Sequence, residues 1–539
     1  MMRINLRVIM ATFSVMIAGM LGGCAGGDNG ATIAAPVVIL TSPANNATGV
    51  LLTEPIAVAF SKVMQSSAFT PTTFTVTSSG GSVSGGISYA NGYATLTPST
   101  PMLPGTLYTA TVVAGVQATD GSTLAASYSW SFTTGPLNAA FGVGGVVTTP
   151  VSLTRGDGAR AVAVQADGKI VAVGYVVNGG GDYDFAIVRY NLDGSLDAGF
   201  GGDGIVTTAI SARSEARAVA IQSDGRIVVA GVTSNTATGT DFVVARYNNT
   251  DGSLDGTFNT GGYVVTDLGA SNNDEAFAVA IQSTGKIVVV GQTGAIVASD
   301  FALVRYTASG ALDTTFDADG IQITTFGEVD AAYSVTIQAD DKIVVAGITD
   351  STPGADINND FALARYDANG ALDATFDGDG KVTTAVGATD EGAFAIGIQT
   401  GGKIVVAGVV FNGANNDFGL ARYNTDGSLD STFGTGGIVI TDMAGGNDAA
   451  LALLIQADNK IVVGGVAFVT NQGNDFATAR YNLDGSLDAT FDVDGKVITN
   501  ISAAHDTAYG VALSGNNIVL AGSSGADASA NFVLVGFSP

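Results

Sequence analysis

The side chains that most often perform catalysis or hold transition metals are nearly missing from this sequence. His505 is the only histidine and Cys24 the only cysteine. A zinc or copper site needs several imidazole or thiolate ligands, so none can be assembled. A Ser-His-Asp triad would have to use His505, which precedes Asp506 in a turn where the equivalent segments have no histidine; a solvated turn residue is the plainer reading. Carboxylates remain. Asp157, Asp274, Asp330, Asp390, Asp448 and Asp506 recur at one point of a long repeat, interrupted only by Ser214-Glu215. Such a column can gather a cation or a polyamine, or it can cap each turn by accepting backbone N–H bonds, and capping is the expected role. Asp274, Asp330, Asp390, Asp448 and Asp506 are accordingly the candidate binding residues.

Two further patterns recur. Asn191-Leu192-Asp193-Gly194-Ser195-Leu196-Asp197 returns with small changes at 249–255, 424–430 and 482–488, and alternate oxygen side chains around a glycine hint at a calcium loop. The twelve-residue spacing with a distal glutamate is missing, and Asp-Gly turns close hairpins without metal, so no cofactor is expected and calcium is the one ion left open. Lys169, Asp184 and Arg189 also have equivalents through six copies. Repetition in every copy argues for scaffolding between copies over a single site.

These residues sit on a repeat that begins at Pro136. One phenylalanine per unit marks it: Phe185, Phe242, Phe301, Phe361, Phe418, Phe476 and Phe532, spaced by 57, 59, 60, 57, 58 and 56 residues. Each unit contains an outer segment of the form LDxxFxxxGxVxT and three short runs such as Ala161–Gln165, Lys169–Gly174 and Asp184–Tyr190. The runs are β-branched and apolar on both faces, as strands packed between neighbouring sheets must be. Four short strands per unit with glycine turns predict a propeller blade, and seven units predict seven blades. An outer segment stands alone at Leu137–Thr149, while the chain stops just after a third strand, so the first segment is expected to complete the last blade. Small residues in Ala161–Gln165 and its equivalents mark the innermost strand. The turns after the second strand and after the outer strand vary most, from 292–299 to the insert at 348–359, and lie on one predicted face.

Residues 136–539 resemble the delta-60 repeat family, predicted bacterial β-propellers of uncertain function, through segments such as DGKIVVAG, DFALARYN and LDxTFGxxG. Copy seven departs, with Asn531, Gly536, Phe537 and Asn517 replacing the usual Asp, Arg, Tyr and Lys. The family has no established catalytic residues, so none is carried over. Residues 36–135 resemble bacterial Ig-like domains through 42–50 (SPANNATGV), Phe60-Ser61-Lys62-Val63-Met64, 104–112 (PGTLYTATV), Asp120-Gly121 and the closing Trp130-Ser131-Phe132-Thr133-Thr134-Gly135. The resemblance implies a spacer, with Trp130 in its core and Tyr108 at a tyrosine corner. The expected fold is therefore all-β: an Ig-like β-sandwich, then a seven-bladed propeller closed by an N-terminal outer strand.

Residues 1–23 place Arg3 and Arg7 before an apolar run from Val8 to Leu21, then Gly22-Gly23-Cys24. This resembles a bacterial lipoprotein signal, which implies lipidation of Cys24, a tether over 24–35 and membrane attachment through lipid. Ala25 lacks the Asp that retains some lipoproteins at the inner membrane, so the outer membrane is expected. No later stretch is long and apolar enough to span a bilayer. Forty-eight acidic against 21 basic residues give a net charge of -27, which repels phosphate backbones and excludes nucleic acid as an expected partner. The functional expectation is a lipid-anchored envelope protein whose spacer presents the propeller as a binding or scaffolding platform for protein or glycan. Its rival is an extracytoplasmic carbohydrate-active or cofactor-dependent enzyme using channel carboxylates.

Overall fold

The computed structural model describes residues 34–235, 239–269, 273–295, 298–350, 358–387, 389, 391–470, 472–492, 494–502, 504–526 and 529–538. Cys24 and Asp390 lie outside them, as does 351–357 of the long insert. The chain forms two compact units: one contains residues up to Ala47 with Glu54–Thr100 and Leu107–Phe132, the other Thr48–Thr53, Pro101–Thr106 and the chain from Thr133 onward.

The first unit is a sandwich. One sheet orders its strands Val38–Ser42, Ile56–Phe60, Tyr93–Pro98, Gly85–Ala90, and the facing sheet centres on Tyr128–Thr134, Leu107–Val112 and Phe74–Ser78. Alternation along Leu107–Val112 sends Tyr108, Ala110 and Val112 inward. Trp130 is 2% exposed and lies 6.1 Å from Phe74, and Tyr108 stacks on Phe132 at 5.8 Å, so both expected core aromatics are buried.

The second unit contains seven four-stranded antiparallel sheets. The first comprises Asp157–Val164, Ile170–Val177, Tyr183–Tyr190 and Ile205–Thr208, inner to outer, and the next five repeat it. The seventh comprises Asp506–Ser514, Asn517–Ser524 and Asn531–Phe537, completed by Val146–Thr149, which pairs Val146 with Val535 and Thr149 with Phe532. The ring thus closes through its N-terminal outer strand, leaving no open sheet edge at the joint. The middle strands are buried on both faces, as in Ile170–Gly174, because each blade is packed between two others.

Polar contacts set the fit between blades. Tyr190 Oη donates to Thr149 Oγ1 of the preceding blade at 3.0 Å; Tyr247, Tyr366, Tyr423 and Tyr481 donate likewise to Thr208, Thr324, Thr384 and Thr441, and the Tyr306 and Thr266 hydroxyls bond each other at 2.7 Å. Arg305 is 1% exposed, donates from Nε to Asp313 at 2.8 Å, stacks over Phe316 at 4.6 Å and reaches the Ala368 carbonyl of the next blade. Lys286 approaches the same Asp313 oxygen at 2.8 Å. Lys169 and Arg189, which recur together with Asp184, do not pair with it. Instead both converge on Asp197, at 2.9 and 2.7 Å, while Asp184 accepts a bond from Asn178. The reason is parity: Asp184 and Arg189 are five positions apart on one strand, an odd offset, and point to opposite faces.

The inner strand of every blade shifts register once, between Ala159 and Ala161 in the first and between Ala393 and Ala395 in the fifth. The bulge presses its backbone onto the second strand. A Cβ on Gly408 would lie 1.7 Å from the Gly392 carbonyl oxygen, which explains the glycine at the end of every KIVVAG-like run. Gly408→Ala should lower the melting temperature, by the equivalent of about 1–3 kcal/mol of overpacking. Arg305→Ala should cost about 3 kcal/mol, the low end for a broken buried pair because Lys286 stays. Adding Asp313→Asn should recover part of that loss; thermal unfolding followed by circular dichroism reads all three.

Candidate functional site

Each bulge turns one side chain into the central channel. The seven residues are Arg160, Arg217, Phe277, Tyr333, Phe394, Leu451 and Tyr509, each half-buried next to an alanine that is fully buried. The channel has a volume of ≈ 620 Å³. Two residues further along, Val162, Val219, Val279, Val335, Ile396, Leu453 and Val511 supply an apolar wall. The backbone of all seven bulges is alike while their side chains differ, so the fold constrains the position and not its chemistry. Sequence reading missed this ring; the signal was one large residue inside an alanine-rich run, as in AFAVA at 276–280.

The ring is asymmetric. Phe277 meets Tyr333 at 4.9 Å and Tyr333 meets Phe394 at 5.0 Å, giving an aromatic arc. On the other side Arg160 Nε donates to Glu215 at 2.8 Å and Arg217 Nη1 to Glu275 at 2.7 Å. Glu215 is the channel-lining carboxylate among the described residues, and it is bound to Arg160, so no pair of free acids faces the channel. From the ring an aromatic and guanidinium ladder runs outward over the first blade. Arg160 lies over Tyr509 at 4.6 Å and over Tyr175 at 5.1 Å, Tyr175 touches Tyr183 at 4.9 Å, and Arg213 covers Tyr183 at 4.7 Å.

Charge is concentrated there. Of the Lys and Arg residues after position 136, twelve occupy the two repeated positions of the blades, and the rest are Arg155, Arg160, Arg213, Arg217, Lys381 and Lys496. Four of these six are arginines within 155–217. Burial opposes the charge of Arg160, but Glu215 and the surrounding phenols outweigh it and hold its pKa up.

The acidic column does not line the channel. Asp157, Asp274, Asp330, Asp448 and Asp506 are at most 1% exposed at the junctions between blades. Asp157 accepts the amides of Val151, Ser152 and Phe532; Asp506 accepts those of Ile501 and Ser502. Asp330 accepts Phe326 and Gly327, Asp274 accepts Leu268, and Asp448 accepts Met443. In the fifth blade Glu391, next to Asp390, accepts Val386 and Gly387. These are turn caps. They are buried because each faces the third strand of the preceding blade instead of the solvent at the mouth. His505 is exposed beside the buried Asp506. In the Asp193 loop the carboxylate accepts Ser195 N and Oγ, at 3.0 and 2.6 Å, and Asp251, Asp426 and Asp484 repeat this with Ser253, Ser428 and Ser486.

Comparison with known proteins follows these divisions. Residues 32–134 match the model of a bacterial Ig-like domain. Segments 165–200, 222–258, 282–316, 338–376, 399–433 and 456–491 match that of a domain of unknown function (DUF5122) beta-propeller. No curated protein matches the sequence. Among solved structures, a protein of unknown function from Dyadobacter fermentans is 11% identical, over 74% of this chain and 100% of its own, with a TM-score of 0.38. A polysaccharide lyase of family PL25, an ulvan lyase, is 12% identical over 72% and 96%, with a TM-score of 0.43. Sqt1 from Chaetomium thermophilum is 10% identical over 72% and 98%, with a TM-score of 0.36.

The junction of the sixth and seventh blades yields a pH prediction. Asp475 is fully buried, neither of its carboxylate oxygens has a hydrogen-bond partner among the described residues, and it faces Asp506. Burial, and then the charge of Asp506, push its pKa up to about 7. The folded state therefore retains a proton that the unfolded chain releases near pH 4, so its stabilising contribution is full below that pH and is lost as pH rises through about 7. Asp475→Asn cannot ionise. It should melt about 3–5 °C above the wild type at pH 8, since roughly three pH units between the folded and unfolded values amount to ~4 kcal/mol and a propeller of this size shifts by about 1 °C per kcal/mol, and the difference should shrink through pH 5 and vanish only at about pH 3. An equal difference at the two ends of that range would remove Asp475 as its source.

Proposed function

We propose that this chain, a bacterial Ig-like domain followed by a DUF5122 beta-propeller, is a binding module of the cell envelope whose ligand is an acidic glycan. Such a domain make-up fits an extracellular or envelope protein. The observation that supports the ligand class is the ladder from Tyr509 through Arg160, Tyr175 and Tyr183 to Arg213, beside the aromatic arc of the channel. Flat rings stack on the C–H faces of sugars, and guanidinium groups bind carboxylate or sulfate through two parallel hydrogen bonds. A channel of ≈ 620 Å³ is within the range of small-ligand sites. The reading is one of binding without turnover, because the channel-facing carboxylate is already held by arginine. No helix among the described residues is long and apolar enough to cross a membrane. Lipid on Cys24 is the proposed anchor, at the outer membrane.

Two measurements test this. Full-length protein applied to an array of neutral and acidic oligosaccharides should retain acidic ones, more weakly at higher salt. Arg213→Ala and Tyr175→Ala should each weaken retention about tenfold, the loss of one charge-assisted bond or one stacked ring, while melting unchanged. Turnover of any polymer would sink the binding reading, and retention of proteins alone would sink the glycan. For the anchor, metabolic labelling with a palmitate analogue should depend on Cys24, and labelling that survives Cys24→Ser would remove it.

A further inference from the structure

Three acids converge at the junction of the fifth and sixth blades. Asp417 is the second residue of the third strand of the fifth blade, Asn416–Tyr423; Asp442 directly follows its outer strand, Ile438–Thr441; Asp448 opens the inner strand of the sixth blade, Asp448–Ile455. One carboxylate oxygen from each lies within 4.8 Å of the others. Asp417 is 3% and Asp448 1% exposed, while Asp442 is exposed, so the cluster is buried on one side and open on the other.

Two of the three acids belong to the frame. Asp448 caps its turn through the Met443 amide at 2.7 Å, and Asp417 Oδ2 accepts a bond from Asn412 at 2.6 Å. Their demands as caps do not explain the rest. Asp417 Oδ1 has no hydrogen-bond partner among the described residues, in a side chain more than nine-tenths buried. Nor does the blade need Asp442: the equivalent position after the outer strand is Pro150, Ala209, Thr325, Ala385 or Asn500 in five other blades. The remaining blade has Asp267, and there Asp241, Asp267 and Asp274 form the same cluster. The third acid is therefore present in both places where the group assembles and dispensable elsewhere. Burial and the charge of Asp442 push the pKa of Asp417 up, and push that of Asp448 up to about 6. The nearby cation, Lys496, donates to the Asp442 backbone carbonyl at 3.1 Å and pairs with Asp494, so the carboxylates themselves crowd together.

We propose that Asp417, Asp442 and Asp448 bind a calcium ion, and that Asp241, Asp267 and Asp274 bind a second. The ligand chemistry selects the class. All donors are hard carboxylate oxygens, with no imidazole or thiolate, which excludes the soft and borderline metals. Three carboxylates on an open rim leave the remaining positions to water, and calcium accepts such irregular shells of six to eight oxygens where magnesium demands a near-ideal octahedron. An affinity on the order of 0.1–1 mM is expected, that of extracellular calcium modules.

The test is calorimetric titration of EDTA-treated full-length protein with CaCl₂ to about 10 mM, tenfold above the weakest affinity expected. The wild type should take up two ions, Asp442→Asn one, Asp267→Asn one and the double variant none. Each variant should melt like the chelated wild type, since other blades fold without an acid there, and only the wild type and single variants should gain melting temperature with calcium. Asp193→Asn, in the Asp-Gly loop, should leave both ions bound. No saturable binding, a stoichiometry unchanged by Asp442→Asn, or loss on Asp193→Asn would overturn the assignment. Magnesium binding as tightly as calcium would overturn the choice of ion.

Discussion

The propeller depends on a buried guanidinium. In five junctions an arginine of the third strand is held by an aspartate of its own blade, lies on a phenylalanine of the LDxxF segment and donates to a backbone carbonyl of the next blade, as Arg305 does to Ala368. The apolar faces would pack at many angles, since burial is non-directional. The planar fork of arginine selects one, because its donors must meet a carboxylate and a carbonyl on two sheets at once. Lysine could neutralise the aspartate but could not span both. The closing blade shows the same constraint from the other side. It has Gly536 where arginine would stand, and a Cβ there would come within 2.7 Å of Phe141, so the ring packs directly on the backbone. The joint made between chain ends is thereby sealed by packing instead of by charge.

A rigid frame of this kind separates what must be constant from what is free. Glycine at the end of the second strand admits the bulge, the bulge aims one side chain at the channel, and nothing in either strand depends on which side chain that is. Seven such positions are filled by two arginines, four aromatic residues and a leucine. The junction turns follow a similar logic. Their capping acids are needed by the backbone, since a buried turn must satisfy its amides, whereas the residue that follows the outer strand ranges from proline to aspartate.

Much of the frame was legible in the sequence because it rests on local periods. The phenylalanine spacing, the doubly apolar runs and the unpaired outer segment at Leu137–Thr149 announce blades and their closure without any contact being known. The sites were less legible, for three physical reasons. A bulge adds one residue to a strand without changing its composition, so Arg160 and Phe277 read as ordinary members of AxAVA runs. The partners of Asp442 come from two blades, and Asp417 lies 25 positions away, so no local motif contains them. The grouping of Asp184 with Arg189 failed on strand parity, and the candidate acids Asp274, Asp330, Asp448 and Asp506 proved to be buried caps because the turn backbone claims at least one oxygen of each.

Net charge is a poor guide to what this surface meets. Of 21 basic residues, twelve sit at the repeated lysine and arginine positions of the frame, most of them paired with the aspartate of the LDxxF segment, so they contribute little field outside the molecule. Across the remainder of a chain of net charge -27, the arginines at 155, 160, 213 and 217 all lie on the inner strands of the first two blades or in the turns that lead into them. Charges farther apart than about 8 Å are largely screened at physiological salt. A ligand at the first blade therefore responds to those guanidinium groups and the glutamates bonded to them, and hardly to the acidic rim of the opposite blades.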